Sequence, residues 1–202
     1  MTDEEFAQIL ALGHETRGVE FKGPGPLSNR RLAAQVVRAV LGMANRRDGG
    51  VVIIGVEDNN NALNPVGLHA DEVATWNYDD VADRIAVYAD PSVEFELEPK
   101  GYNGNQYVVI QVEEFADVPV ICKRSYDDVL RDGACYVRSR RKPETSEVPT
   151  FADMRDLLDL AIDKGVVQYL DRARRLGLIV TQISEPPSGG REPFDQQLGN
   201  LR

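Results

Sequence analysis

The sequence predicts an α+β domain, a mixed small sheet with packed helices. Three observations point there. Val51-Val-Ile-Ile-Gly-Val56 is an apolar run of strand length that needs cover on both faces. Val93-Glu-Phe-Glu-Leu97 alternates, and Asn103-Gly104 turns it back into Tyr107-Val-Val-Ile-Gln-Val112, the pattern of an antiparallel hairpin. Helical stripes are mixed with these strands without strict alternation, which favours α+β.

Each element has its own local reason. Thr2 or Asp3 caps a first helix that runs to about Leu12, and Gly13 ends it. Val19 to Lys22 reads as a short strand, followed by the stiff loop Gly23-Pro-Gly-Pro26. Ser28 or Asn29 starts a helix to about Arg47, with Leu32, Ala33, Val36, Val37, Val40, Leu41 and Ala44 as one apolar stripe and Arg31 and Arg38 on the opposite face. Asp48-Gly-Gly50 stops that helix and turns the chain into the buried strand; a phosphate-cradling backbone nest is the alternative for the same residues. Asn59-Asn-Asn61 is a turn. One helix is expected from about Asp71 to Tyr88, with Tyr78, Val81, Ala82, Ile85 and Tyr88 facing inward. Short strands follow at Val118–Cys122 and Cys135–Arg138, then a helical region from about Phe151 to Leu176 with a weak point at Gly165. The expected organisation is a domain over residues 1–148, a helical extension over 149–180, and a disordered Pro/Gly-rich tail over 181–202.

Composition bounds the function. A length of 202 residues suits one domain with a tail, and nothing resembles a membrane span or a signal segment. Cys122 and Cys135 have no metal spacing and suit reduced cytoplasmic thiols. The net charge of −10 is unevenly spread: residues 71–99 carry −8, leaving −2 for all the rest. No acid occurs between Lys22 and Arg47, a stretch holding Arg30, Arg31, Arg38 and Arg46. Residues 123–142 carry seven bases against three acids, ending in Arg138-Ser-Arg-Arg-Lys142. Such a molecule has an acidic and a basic side, and the basic one suits a polyanion.

The chemistry concentrates in Glu15-Thr-Arg-Gly-Val-Glu20-Phe-Lys22 and in Asp58 of Gly55-Val-Glu-Asp58. If the two strands lie side by side, three carboxylates and a lysine meet at one end of a sheet. Convergent acids repel unless a cation or a chemical task holds them there. Carboxylates are fitting ligands for Mg²⁺ or Mn²⁺, and Lys22, on the same strand face as Glu20, is placed to hold a phosphate. The plain alternative is a Glu20–Lys22 surface ion pair, worth under about 1 kcal/mol.

The order and spacing of these segments resemble the Schlafen-type AlbA-like domain. The resemblance rests on Glu15-x4-Glu20-Phe-Lys22, the arginine-bearing helix ending in Ala44-Asn45, Gly49-Gly50-Val51-Val-Ile-Ile-Gly55-Val56-x-Asp58, and the later Tyr136-Val137-Arg138, over roughly residues 10–145. It implies an α+β fold described as DNA-binding. It also implies that Glu15, Glu20 and Asp58 match the divalent-metal endoribonuclease centre that animal Schlafen proteins direct at tRNA and rRNA. Three functions follow as expectations. One is a metal-dependent endonuclease on structured RNA, with Glu15, Glu20 and Asp58 as ligands and Lys22 assisting. The second is a DNA- or RNA-binding module using Arg30, Arg31, Arg38, Arg138, Arg140, Arg141 and Lys142. The third is a protein–protein module using the acidic 71–99 face. Because the animal proteins pair two such lobes, a homodimer is expected of a single one.

Overall fold

The structure is a computed structural model describing residues 1–59, 62–140 and 143–178. The chain divides into two compact units, Met1–Gly165 and Val166–Arg202. The sheet, both hydrophobic cores and the candidate site belong to the first.

In chain order the elements are α1 (Asp3–Leu12), β1 (Val19–Lys22), α2 (Arg30–Ala44), β2 (Gly50–Ile54), β3 (Glu57–Asn59), β4 (Ala62–Asn64), α3 (Ala70–Thr75), α4 (Tyr78–Ala86), β5 (Ala89–Asp90), β6 (Phe95–Tyr102), β7 (Asn105–Val112), β8 (Ile121–Cys122), β9 (Tyr136–Arg138), β10 (Thr145–Glu147) and α5 (Phe151–Arg175). This is the α+β class that the patterning predicts. No described helix is long and apolar enough to cross a membrane.

The central sheet has the order β1-β2-β7-β6. β1 and β2 are parallel, with Glu20 opposite Val52 and Lys22 opposite Ile54. β2 runs antiparallel to β7, and β7 to β6. The β6–β7 turn uses Asn103 and Gly104 at φ 50° and 82°, the two positive dihedrals that a two-residue hairpin needs. Alternation along β2 and β7 sends side chains to two cores. Val52, Ile54, Val108 and Ile110 join α2 and α4 on one face; Ile53, Val109 and Tyr107 join Phe6 and Leu10 of α1 on the other. β2 is therefore covered on both sides, as its composition requires.

α1 begins in a capping box, where Thr2 Oγ1 accepts from Glu5 N–H and Glu5 Oε2 accepts from Thr2 N–H, and it ends at Gly13 in the left-handed region. α2 begins at the Asn29 cap and stops at Asn45, shorter than the expected Arg47. The stop has a tertiary cause. The buried Asn45 side chain donates to the carbonyls of Val120 and Tyr136, at 2.7 and 2.9 Å, and accepts from Val120 N–H. Asp48 and Gly49 then turn the chain with φ of 66° and 60°. A Cβ on Gly49 would stand 2.0 Å from the Val112 carbonyl oxygen, so this turn takes glycine for contact as well as for dihedral.

Three expectations are corrected. Residues 71–88 form two helices, not one. Trp76 leaves the helix to donate its indole N–H to Gly25 O at 2.9 Å, and Asn77 caps α4 through the Asp80 N–H. Tyr78 does not face inward: it is 52% exposed and stacks on Phe95 at 4.9 Å. Tyr88 is buried in the core as expected, and Trp76 is buried in the same cluster. Gly165 lies within α5 and does not interrupt it. The two cysteines are free. The tail from residue 181 and part of the Asn59–Asn61 turn lie outside the described residues.

Candidate functional site

Glu15 precedes β1, and Glu20 and Lys22 project from it. Together with Gln35 and Arg38 of α2, and with Glu144 and Thr145 at the start of β10, they line a cleft of about 400 Å³. Glu20 is its centre. Its Oε1 accepts from Lys22 Nζ at 2.5 Å; its Oε2 accepts from Arg138 Nη1 at 2.8 Å and from Thr145 Oγ1 at 2.5 Å. Arg138 and Thr145 are register partners on β9 and β10, so directly opposite residues of one two-stranded sheet present both donors to one oxygen. Arg138 is 2% exposed and Glu20 6%. The guanidinium also donates to the carbonyls of Thr16 and Val19, at 2.6 and 2.9 Å.

Glu15 is placed differently. Its Oε1 accepts from Phe21 N–H at 2.9 Å, while Oε2 lies 3.7 Å from Arg138 Nη2. Its side chain keeps 27% of its surface, against 8% for Glu20. The two acids are pushed apart in proton affinity. Burial raises the Glu15 pKa and the Glu20 charge adds to that, outweighing the Phe21 hydrogen bond, Arg138 and Lys22. Burial also pushes Glu20 upward, but the Lys22 and Arg138 charges and the hydrogen bonds from Lys22 and Thr145 hold it below its ordinary value. Lys22 Nζ also reaches Phe21 O at 3.2 Å.

The structure thus brings Glu15, Glu20 and Lys22 together. Asp58 sits on β3 with its backbone paired to Leu63, and Leu63 lines the same cleft. The Asp58 side chain is outside the described set. Mg²⁺ and Mn²⁺ take a near-octahedral shell of oxygens, largely water and carboxylate. Among the described residues no group of three His, Cys, Asp or Glu side chains converges on one point. Glu20 accepts three hydrogen bonds, two of them from cations.

The basic residues scatter. Arg138, expected among the phosphate contacts, is an internal residue, because a guanidinium sunk beside Glu20 is spent on that carboxylate and on backbone carbonyls. Arg38 lines the cleft, donates to Thr145 O and lies over the Tyr136 ring at 5.7 Å. Arg30 is exposed on the first turn of α2. Arg31 is exposed and paired with Asp128, and Arg140 with Asp156. Arg141 and Lys142 lie outside the described residues. His14 is exposed, with Nδ1 against Leu12 O. Sequence reasoning missed Thr145 and Gln35. Thr145 meets Glu20 across 125 residues, which no local spacing reveals.

Two solved structures are similar in part. The DIP2311 protein from Corynebacterium diphtheriae aligns over 72% of this chain and 26% of its own length, at 19% identity and a TM-score of 0.48. This chain therefore spans about a quarter of that protein. The N-terminal domain of a RecG-related protein from Nitrosomonas europaea aligns over 65% of this chain and 88% of its own, at 23% identity and a TM-score of 0.46. No curated protein matches. The family described as Schlafen, AlbA_2 matches residues 15–146, a span that opens on Glu15 and closes just past Thr145. The chain belongs to that family.

Proposed function

We propose that this chain is a nucleic-acid-binding domain that meets a phosphate backbone at the cleft of Glu15, Glu20, Lys22 and Arg38. The supporting observation is that Lys22 and Arg38 share one cleft of about 400 Å³ with Glu15 and Glu20, and that Glu20 holds Lys22 in place. A cation held by a buried carboxylate is fixed in place before a ligand arrives and loses little entropy on contact. The family membership points the same way.

A second reading, endonucleolytic cleavage of structured RNA such as tRNA, has Glu15 in its favour. A carboxyl whose proton affinity is raised by burial, yet open to the cleft, suits proton transfer during phosphodiester cleavage. Mg²⁺ or Mn²⁺ is the expected cofactor of that reading, and it would neutralise charge developing on the phosphate.

One experiment separates the two. Labelled tRNA, single-stranded DNA and double-stranded DNA are titrated with protein, then incubated with Mg²⁺, Mn²⁺ or chelator beside the Glu15→Gln and Lys22→Gln variants. Salt-sensitive binding weakened by Lys22→Gln establishes the binding module. Cleavage abolished by Glu15→Gln and by chelator establishes the metal-dependent nuclease. Absence of both from wild type overturns both readings and leaves the acidic 71–99 segment as a protein-docking face. Light scattering of the same sample tests the homodimer, which a monomeric mass at micromolar concentration rejects.

A further inference from the structure

The Glu20–Arg138 ion pair is a wall with a cavity on either side. Glu20 lines the cleft, while Arg138 lines a second cavity of about 410 Å³. Four more arginines reach this second cavity: Arg17, Arg46, Arg47 and Arg140. Three of the five are committed, Arg138 to Glu20, Arg140 to Asp156 and Arg47 to Asp163. Arg17 and Arg46 have no ion-pair partner among the described residues. Arg17 is exposed and gives one hydrogen bond, to Arg138 O at 3.3 Å. Arg46 donates Nη1 to Gly49 O, but its Nε is buried and without a partner among the described residues.

A buried donor left unpaired costs about 1–3 kcal/mol. Here it belongs to a guanidinium that is itself crowded: burial and the charges of Arg17 and Arg138 lower the Arg46 pKa, and Asp48 offsets them only in part. The other acids lining the cavity are Asp153, Asp156 and Asp159, and the charges that act on Arg46 are those of Arg17, Asp48 and Arg138 instead. Asp156 is taken by Arg140; Asp153 accepts from Thr150 Oγ1 at 2.5 Å and from Arg140 N–H at 3.2 Å.

We propose that this second cavity is an oxyanion site for phosphate, with Arg17 and Arg46 as its binding residues. A tetrahedral oxyanion offers several acceptors at once and suits forked guanidinium donors. The ligand chemistry is common to free phosphate and to a nucleic-acid phosphodiester. The second source deepens the nucleic-acid reading and rests on it; the first does not.

The test uses the full chain in two arms. The melting temperature is followed against inorganic phosphate, with ionic strength held constant by chloride. Wild type is expected to rise with the logarithm of phosphate concentration once the site fills. Arg17→Gln and Arg46→Gln are expected to lose that rise, and Arg131→Gln, at an exposed arginine paired with Glu147 that lines neither cavity, to keep it. If Arg46→Gln does not fold, the exposed Arg17→Gln decides. A wild type that does not distinguish phosphate from chloride, or an Arg17→Gln that keeps the full rise, overturns the proposal. The second arm measures salt dependence with a single-stranded oligonucleotide. A log–log slope reduced by about one in Arg17→Gln assigns the site to backbone phosphate; an unchanged slope beside a lost melting shift assigns it to free phosphate. If no oligonucleotide binds, the nucleic-acid reading fails while the first arm still decides the phosphate site.

Discussion

Replacing Arg138 by Met removes a buried cation and keeps much of its apolar stem. In the folded protein that guanidinium serves the Glu20 carboxylate at 2.8 Å and the carbonyls of Thr16 and Val19 at 2.6 and 2.9 Å. Breaking a buried ion pair from one side costs roughly 3–5 kcal/mol, because the surviving charge is left in a poor solvent. Glu20 keeps Lys22 and Thr145, which places the expected loss near the lower end, about 3 kcal/mol. Against a typical total of about 5–15 kcal/mol, that is a large share of the stability. Urea unfolding at neutral pH measures it. The pH dependence adds a second check. The folded Glu20 pKa lies below its ordinary value, so its contribution is present above the ordinary carboxylate range and is lost as pH falls through the lowered value. Wild type and Arg138→Met should therefore converge in acid. The double variant Glu20→Leu/Arg138→Met should recover part of the loss, since no charge is then stranded. A neutral-pH loss under about 1 kcal/mol would refute the claim that this pair is a buried organiser of the site.

Glu15→Gln should raise neutral-pH stability, by under about 1 kcal/mol, because a raised carboxylate pKa means that stability falls as pH rises from the ordinary value through the folded one; flat unfolding curves for both proteins across that window contradict this. Asn45→Ala should cost about 2–4 kcal/mol in thermal unfolding, since it strands buried backbone groups at Val120 and Tyr136, and a loss under about 1 kcal/mol would mean that water replaces the side chain. Gly49→Ala should leave little soluble protein, as its Cβ collides with Val112 O; normal expression with an unchanged melting curve would show that the turn can shift. The Cys135 thiol, pushed up to about 11 by burial, should resist alkylation at pH 8 until the protein unfolds, which mass spectrometry after timed quenching reads directly.

What the sequence made legible was local. The Thr2 cap, the Gly13 stop, the α2 stripe and the Asn103-Gly104 hairpin are all written within one or two turns of chain, and each is found. The meeting of Glu15, Glu20 and Lys22 was equally legible, because five and two residues around one short strand fix their relation. The interruption at Trp76 was not, since its cause is a hydrogen bond to Gly25 on another loop. Arg138 was misplaced for a related reason. It opens a basic run and reads as solvated charge, yet it shares the strand β9 with buried Tyr136 and Val137, and its carboxylate partner is 118 residues away. Long-range ion pairs of this kind leave no periodic mark.

β1 is the outermost strand of its sheet, with β2 on one flank and, among the described residues, no strand paired on the other. Gly18 and Lys22 turn their carbonyls toward β2 and the segment after it, so Val19 and Phe21 turn their backbone groups away. Each outward group is stoppered: Val19 N–H by Thr16 O, Val19 O by Arg138, Phe21 N–H by Glu15, and Phe21 O by Lys22. Open strand margins invite a foreign strand to add on, and charged side chains are a common guard. Glu15 and Lys22, proposed to meet nucleic acid, are thus also bolts on this sheet margin. Variants that neutralise them should be more prone to self-association through β1, and a silent mutant at Glu15 or Lys22 reports on chemistry only after its solution mass has been measured.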